Sequence, residues 1–114
     1  MALPTVILNG KPWHLRYDMN AIAEVEGALR MTIREIGLRL MRGKIGAREI
    51  RALVWAGILH EFEDAGIRQV GDWLTEAGVP VNKQATDDLM EKVLESLSSA
   101  FPEDRPTDGN DSKN

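Results

Sequence analysis

The sequence predicts a mainly α-helical domain: an N-terminal β-hairpin over 4–17, then about five helices in a compact bundle. Residues 1–100 form this single domain, and 101–114 form a flexible acidic tail. Three observations carry the prediction. An Asn9-Gly10 pair separates two short apolar runs, which is the strongest local hairpin signal. Apolar residues then recur at helical spacing in five successive segments, each bounded by a cap or a glycine. The last fourteen residues, Phe101 to Asn114, are rich in Pro, Asp, Gly, Asn and Ser and cannot bury enough surface to order themselves.

Thr5-Val6-Ile7-Leu8 is the first arm of the hairpin and Lys11 to Tyr17 the second. Asn-Gly suits the two positive φ angles of a type I′ turn. Trp13, Leu15 and Tyr17 alternate with His14 and Arg16, so one face is apolar and the other wet. Pro12 has no N–H and places its strand at an edge. A two-stranded hairpin is marginal in water, so its apolar face must lie on the helices or on another subunit.

Asp18 is the expected N-cap of a first helix through about Leu29, with Ala21, Ile22, Val25 and Leu29 inward. Thr32-Ile33-Arg34-Glu35 reads as a capping box opening a second helix, whose core stripe is Ile33, Ile36, Gly37, Leu40 and Met41. Gly43-Lys44-Ile45-Gly46 turns the chain into a third helix from about Ala47 to Phe62. One stripe of that helix is Ile50, Leu53, Val54, Gly57 and Ile58, while Trp55, Leu59 and Phe62 fall on a nearly opposite face. A helix apolar on two sides is either central in its own fold or shares one side with a partner. Ile67 to Ala77 makes a fourth helix with Ile67, Val70, Trp73 and Leu74 inward, ended by Gly78-Val79-Pro80. Asn82 caps the last helix, about Lys83 to Ser99, in which Leu89, Met90, Val93, Leu94 and Leu97 oppose Asp87, Asp88, Glu91 and Glu95.

Composition narrows the function classes. Cysteine is absent, so disulfides and thiolate metal sites are excluded. No apolar run approaches a membrane span, and the first ten residues lack the pattern of a signal peptide. A net charge of −4 argues against general affinity for phosphate backbones. The charge is uneven: residues 30–51 hold seven basic groups against two acidic ones, a local +5, which leaves −9 on the rest. That basic stretch, with Arg34, Arg42, Arg48 and Arg51, is either a pair of solvated helix faces or a docking patch for an acidic partner.

Candidate chemistry lacks complete sets. His60-Glu61 has no second histidine one turn later, as a zinc helix needs, and His14 is far away in a strand. Glu24 and Glu26 point to different sides of their helix and read as plain helix surface. Ser96, Ser98, Ser99 and Ser112 lie in or beside the tail, away from either histidine. No phosphate-loop or nucleophile-elbow string occurs. No enzyme activity, metal or cofactor is expected.

The order of features resembles a known family. Tyr17-Asp18-Met19-Asn20-Ala21-Ile22-Ala23-Glu24-Val25-Glu26, the capped Thr32 to Ile36 segment, and Ala52-Leu53-Val54-Trp55-Ala56-Gly57-Ile58-Leu59-His60-Glu61 are similar to the tail assembly chaperones of siphophages and gene transfer agents. The likeness spans roughly residues 5–78, and Gly27 to Met31 departs from the family's usual glutamate–glycine link. It implies a non-enzymatic protein of the host bacterial cytoplasm that binds the long, helical tape measure protein, and with it the tail tube protein, during tail morphogenesis. Self-association into a homo-oligomer is compatible with this reading; nucleic acid and membrane are not expected partners. The candidate contact set is Leu38, Trp55, Leu59 and Phe62, with the arginines at 34, 42, 48 and 51 steering the partner. Two other readings compete: a head–tail connector or tail-completion protein that stays in the virion, and a small DNA-binding regulator using the second and third helices.

Overall fold

A computed structural model describes residues 3–100; the acidic segment 101–114 lies outside the described residues, as do the first two. The chain forms β1 (Thr5–Leu8), β2 (Lys11–His14), α1 (Met19–Leu29), α2 (Ile33–Met41), α3 (Ala47–Ile58), α4 (Ile67–Glu76) and α5 (Lys83–Ala100). The predicted class, a hairpin followed by five helices, is the architecture found.

β1 and β2 pair antiparallel, with Val6 opposite Trp13 and Leu8 opposite Lys11. Asn9 and Gly10 take φ of 54° and 72°, the two left-handed angles expected of the tight turn. Val6 and Leu8 are buried, whereas Ile7, on the alternate face, is largely exposed. The second strand is shorter than predicted and ends at His14 rather than Tyr17. From there the chain leaves the hairpin and runs across α3: Leu15 N–H donates to the Pro4 carbonyl and Arg16 N–H to the Gly57 carbonyl, each at 2.9 Å. Its apolar residues reach the core as the alternation foretold, with Leu15 and Tyr17 buried.

Gly57 makes this crossing feasible. A Cβ there would sit 2.8 Å from Leu15 Cδ2 and 3.0 Å from Tyr17 Oη, so only a bare Cα lets the segment approach the helix. The Tyr17 hydroxyl donates to the Leu53 carbonyl at 2.6 Å. Burial drives the ionisation of this phenol far above its ordinary range, so it acts as a neutral donor.

α3 is the central element. It packs against α1 on one side and α4 on another, and β2 and α5 also touch it. Ile50, Ala52, Leu53, Val54, Ala56, Gly57 and Ile58 are all buried, which a helix enclosed by its own fold requires. Winding stops at Ile58, four residues before the expected end at Phe62. Glu61 and Phe62 N–H both fold back onto the Ile58 carbonyl in a turn, at 2.9 and 3.0 Å.

Asp18, Thr32 and Asn82 cap their helices as expected, but among the described residues the Glu35 carboxylate half of the capping box at α2 is not formed. Asp18 accepts from Ala21 N–H at 2.9 Å, and Asn82 accepts from Ala85 N–H at 2.9 Å. At α2 the Thr32 hydroxyl accepts from Glu35 N–H at 3.2 Å. A second free donor of that helix, Ile33 N–H, is taken from outside by Glu26 of α1 at 2.7 Å. Glu26 is therefore a tertiary cap and not plain helix surface. Arg30, in the left-handed region with φ 56°, ends α1 and turns the chain toward α2.

Three further expectations change, the first being that Leu94, expected on the inward stripe of α5, is exposed. Met41 was placed on the core stripe of α2 and is 80% exposed. It directly follows the buried Leu40, so at about 100° per residue it turns a quarter of the circumference away. Ser96 was grouped with the tail serines and is buried; its hydroxyl donates to the Leu15 carbonyl at 2.8 Å, tying α5 to the end of the hairpin.

Candidate functional site

The predicted contact residues separate into three places. The first is an aromatic cluster. Trp13 of β2, Phe62 of the turn after α3 and Trp73 of α4 stack with ring centroids 5.5 to 6.2 Å apart and planes within 19° of parallel. The Trp13 indole N–H donates to the Leu8 carbonyl at 2.9 Å. Trp55 lies half-buried nearby in sequence and donates to the Ala65 carbonyl at 2.8 Å. Trp55, Leu59 and Phe62 all pack against the hydrophobic core. Much of the second apolar face of the third helix is thus covered by the chain itself. Trp13 of the hairpin and Trp73 of α4 cover Phe62, and the turn before α4 takes the Trp55 indole N–H, a pairing the sequence hinted at only in that these segments had apolar faces needing one.

The same corner holds a polar clamp. Glu61 accepts from His14 N–H at 2.9 Å through Oε1, and its Oε2 lies 2.7 Å from His14 Nδ1. His60 Nε2 donates to the His14 carbonyl at 2.8 Å. Partial desolvation pushes the Glu61 carboxyl up, but the bonds from His14 and the nearby charges of His14 and His60 outweigh it. The net result lies below the usual carboxylate value. His60 and Glu61 are exposed, and they fasten the hairpin to the end of α3. Among the described residues no group of three or more histidines and acids is placed to hold a metal ion.

The second place is the outer face of α2. Leu38 is 47% exposed and Met41 80%. Arg34, Leu38, Met41 and Arg42 fall on one stripe at spacings of four, three and one, opposite the buried Ile36 and Leu40. None of these arginines forms an ion pair with another described residue. Leu38, Arg34, Met41 and Arg42 therefore share one exposed surface of α2.

The third is a groove of about 400 Å³ between the start of α3, α4 and the turn at Val79–Pro80. Arg48 and Arg51 line it, with Arg68 and Asp72 of α4. Arg68 escaped the sequence reading because it belongs to a different helix outside the basic stretch. Leu59 stands apart from both basic surfaces, on a second groove bordered by Arg16, Asp18, Glu24, His60 and Glu63. No helix among the described residues is long and apolar enough to cross a membrane. Comparison with protein-family models, curated proteins and solved structures gave no match.

Proposed function

We propose that this protein is a phage tail assembly chaperone that holds the tape measure protein in the host cytoplasm until the tail tube assembles around it. The resemblance over residues 5–78 supports the reading, and one structural observation carries it. Leu38 and Met41 form an exposed apolar pair on α2, bracketed by Arg34 and Arg42 without ion-pair partners among the described residues. A helix surface of this kind complements an amphipathic helix: apolar side chains supply the contact area and acidic flanks meet the arginines. A tape measure protein, being long and helical, offers many such segments. The arginines at 48 and 51 extend the basic character onto the neighbouring groove. This function calls for no cofactor and no turnover.

The direct test is co-expression of the tagged chain with the tape measure protein, followed by affinity purification. Leu38→Glu combined with Met41→Glu is expected to abolish co-purification while leaving circular dichroism and thermal midpoint unchanged, because both side chains are exposed. Undiminished co-purification would overturn the assignment of this face. Finding the protein in purified virions, with no tape measure complex in lysates, would favour a structural connector instead.

A further inference from the structure

The geometry points to the α3–α4 groove as a carboxylate-binding site, built to receive acidic side chains of a partner segment; the identity of that partner rests on the function proposed above. The groove, about 400 Å³, is lined by three guanidinium-bearing residues, Arg48, Arg51 and Arg68, and a single carboxylate, Asp72. None of the three arginines forms an ion pair with a described residue, although Asp72 lines the same groove. Arg48 has only a long contact, 3.5 Å, from its Nη2 to the Ala28 carbonyl.

Arg51 is the informative member. Its Nε is buried and has no hydrogen-bond partner. An unmatched buried donor is costly; once the guanidinium turns outward into the groove, it can fork onto a carboxylate using Nε and one Nη together, which relieves that cost. The position of this side chain is also prepared by its neighbour. A Cβ on Gly71 of α4 would lie 3.0 Å from Arg51 Cδ, so the bare backbone there is what lets the arginine stem cross into the groove.

Charge selects the ligand. Three arginines against Asp72 leave a formal +2, which one or two carboxylates neutralise. A phosphate dianion concentrates its charge at one point and meets Asp72 at close range, whereas two carboxylates one helical turn apart spread theirs over the groove. The groove floor includes Ile50, Leu74 and Val79, so solvent is excluded from one side and the arginine field is strengthened.

The test uses the full chain, isotopically labelled so that arginine Nε–H resonances are observed by NMR. The probe is a capped alanine-based helical peptide carrying two glutamates four residues apart. Inorganic phosphate at equal ionic strength forms the second arm, and the same peptide with glutamines is the control. The expected result is a saturable shift of the Arg51 Nε–H with the glutamate peptide and none with the control. Arg48→Gln and Arg68→Gln, both at exposed positions, should each weaken binding about tenfold, the usual effect of one lost charge-assisted bond. No saturable shift, or tighter binding of phosphate than of peptide, overturns the proposal. Gly71→Leu, which displaces the Arg51 stem, provides an independent check: loss of the peptide shift with a retained fold supports the site, and undiminished binding opposes it. Peptide binding that persists while tape measure co-purification fails separates this site from the larger functional reading.

Discussion

Replacing Gly57 by alanine measures how closely the hairpin is seated on the central helix. Gly57 lies near the end of α3 with ordinary helical backbone, so intrinsic propensity alone favours alanine by about 0.8–1 kcal/mol. Packing opposes it. The new methyl would stand 2.8 Å from Leu15 Cδ2, 3.0 Å from Tyr17 Oη and 3.1 Å from Tyr17 Cζ. Leu15 is fully buried and the Tyr17 ring is held by its bond to the Leu53 carbonyl, so neither can withdraw without disturbing the core. Overpacking of this kind costs about 1–3 kcal/mol, which leaves a net loss of about 1 kcal/mol after the propensity gain. For a domain of this size that corresponds to a thermal midpoint lowered by roughly 4–8 °C. Gly37→Ala is the matched control: it lies within α2 and a Cβ there meets nothing within 4 Å, so it should gain close to the full propensity term. Urea unfolding of both variants beside the wild type gives the two free energies. If Gly57→Ala proves as stabilising as Gly37→Ala, the segment from Leu15 to Tyr17 does not press on α3 as described.

Three other outcomes follow from the same packing. Trp55→Ala with Phe62→Ala removes one indole bonded to the Ala65 carbonyl and one ring of the aromatic cluster. Losses of about 3 kcal/mol or more are expected for such truncations, so calorimetry should show severe destabilisation rather than an intact domain with a weakened partner surface. Ser96→Ala leaves the buried Leu15 carbonyl without its partner from α5 and should cost about 1–3 kcal/mol in urea unfolding. The Glu61 carboxyl, held below its ordinary value of 4.5 by His14 and His60, contributes stability that is complete above that value. This contribution disappears as pH falls through the lower folded value. Glu61→Gln should therefore flatten the acid limb of a plot of urea midpoint against pH, and an unchanged limb would show that the clamp does not hold the hairpin.

The sequence by itself determined the elements and most of their inward faces. Asn9-Gly10 dictates its turn through backbone sterics, Asp18 and Asn82 cap through their own side chains, and a 3.6-residue period marks Ala21, Val25 and Leu29 for burial. These are local effects, acting over a few residues, and local spacing records them. Ends of elements were less legible where a distant group competes. β2 stops at His14 and α3 at Ile58, where the hairpin and the turn after α3 bind each other through His14, His60 and Glu61, about 46 residues apart in sequence. Ser96 likewise looked like part of a polar tail until the fold placed the Leu15 carbonyl above it. The candidate site divides in the same way. Periodicity alone separated Leu38 from the core of its helix, and composition located the basic stretch. Only the tertiary structure decided that Phe62 is covered by the chain's own hairpin and α4 and that the Trp55 indole is bonded to the Ala65 carbonyl. It also brought Arg68 beside Arg48 and Arg51. A helix's period reveals that a face is apolar; which surface covers it depends on contacts between segments far apart along the chain, and those have no local signature.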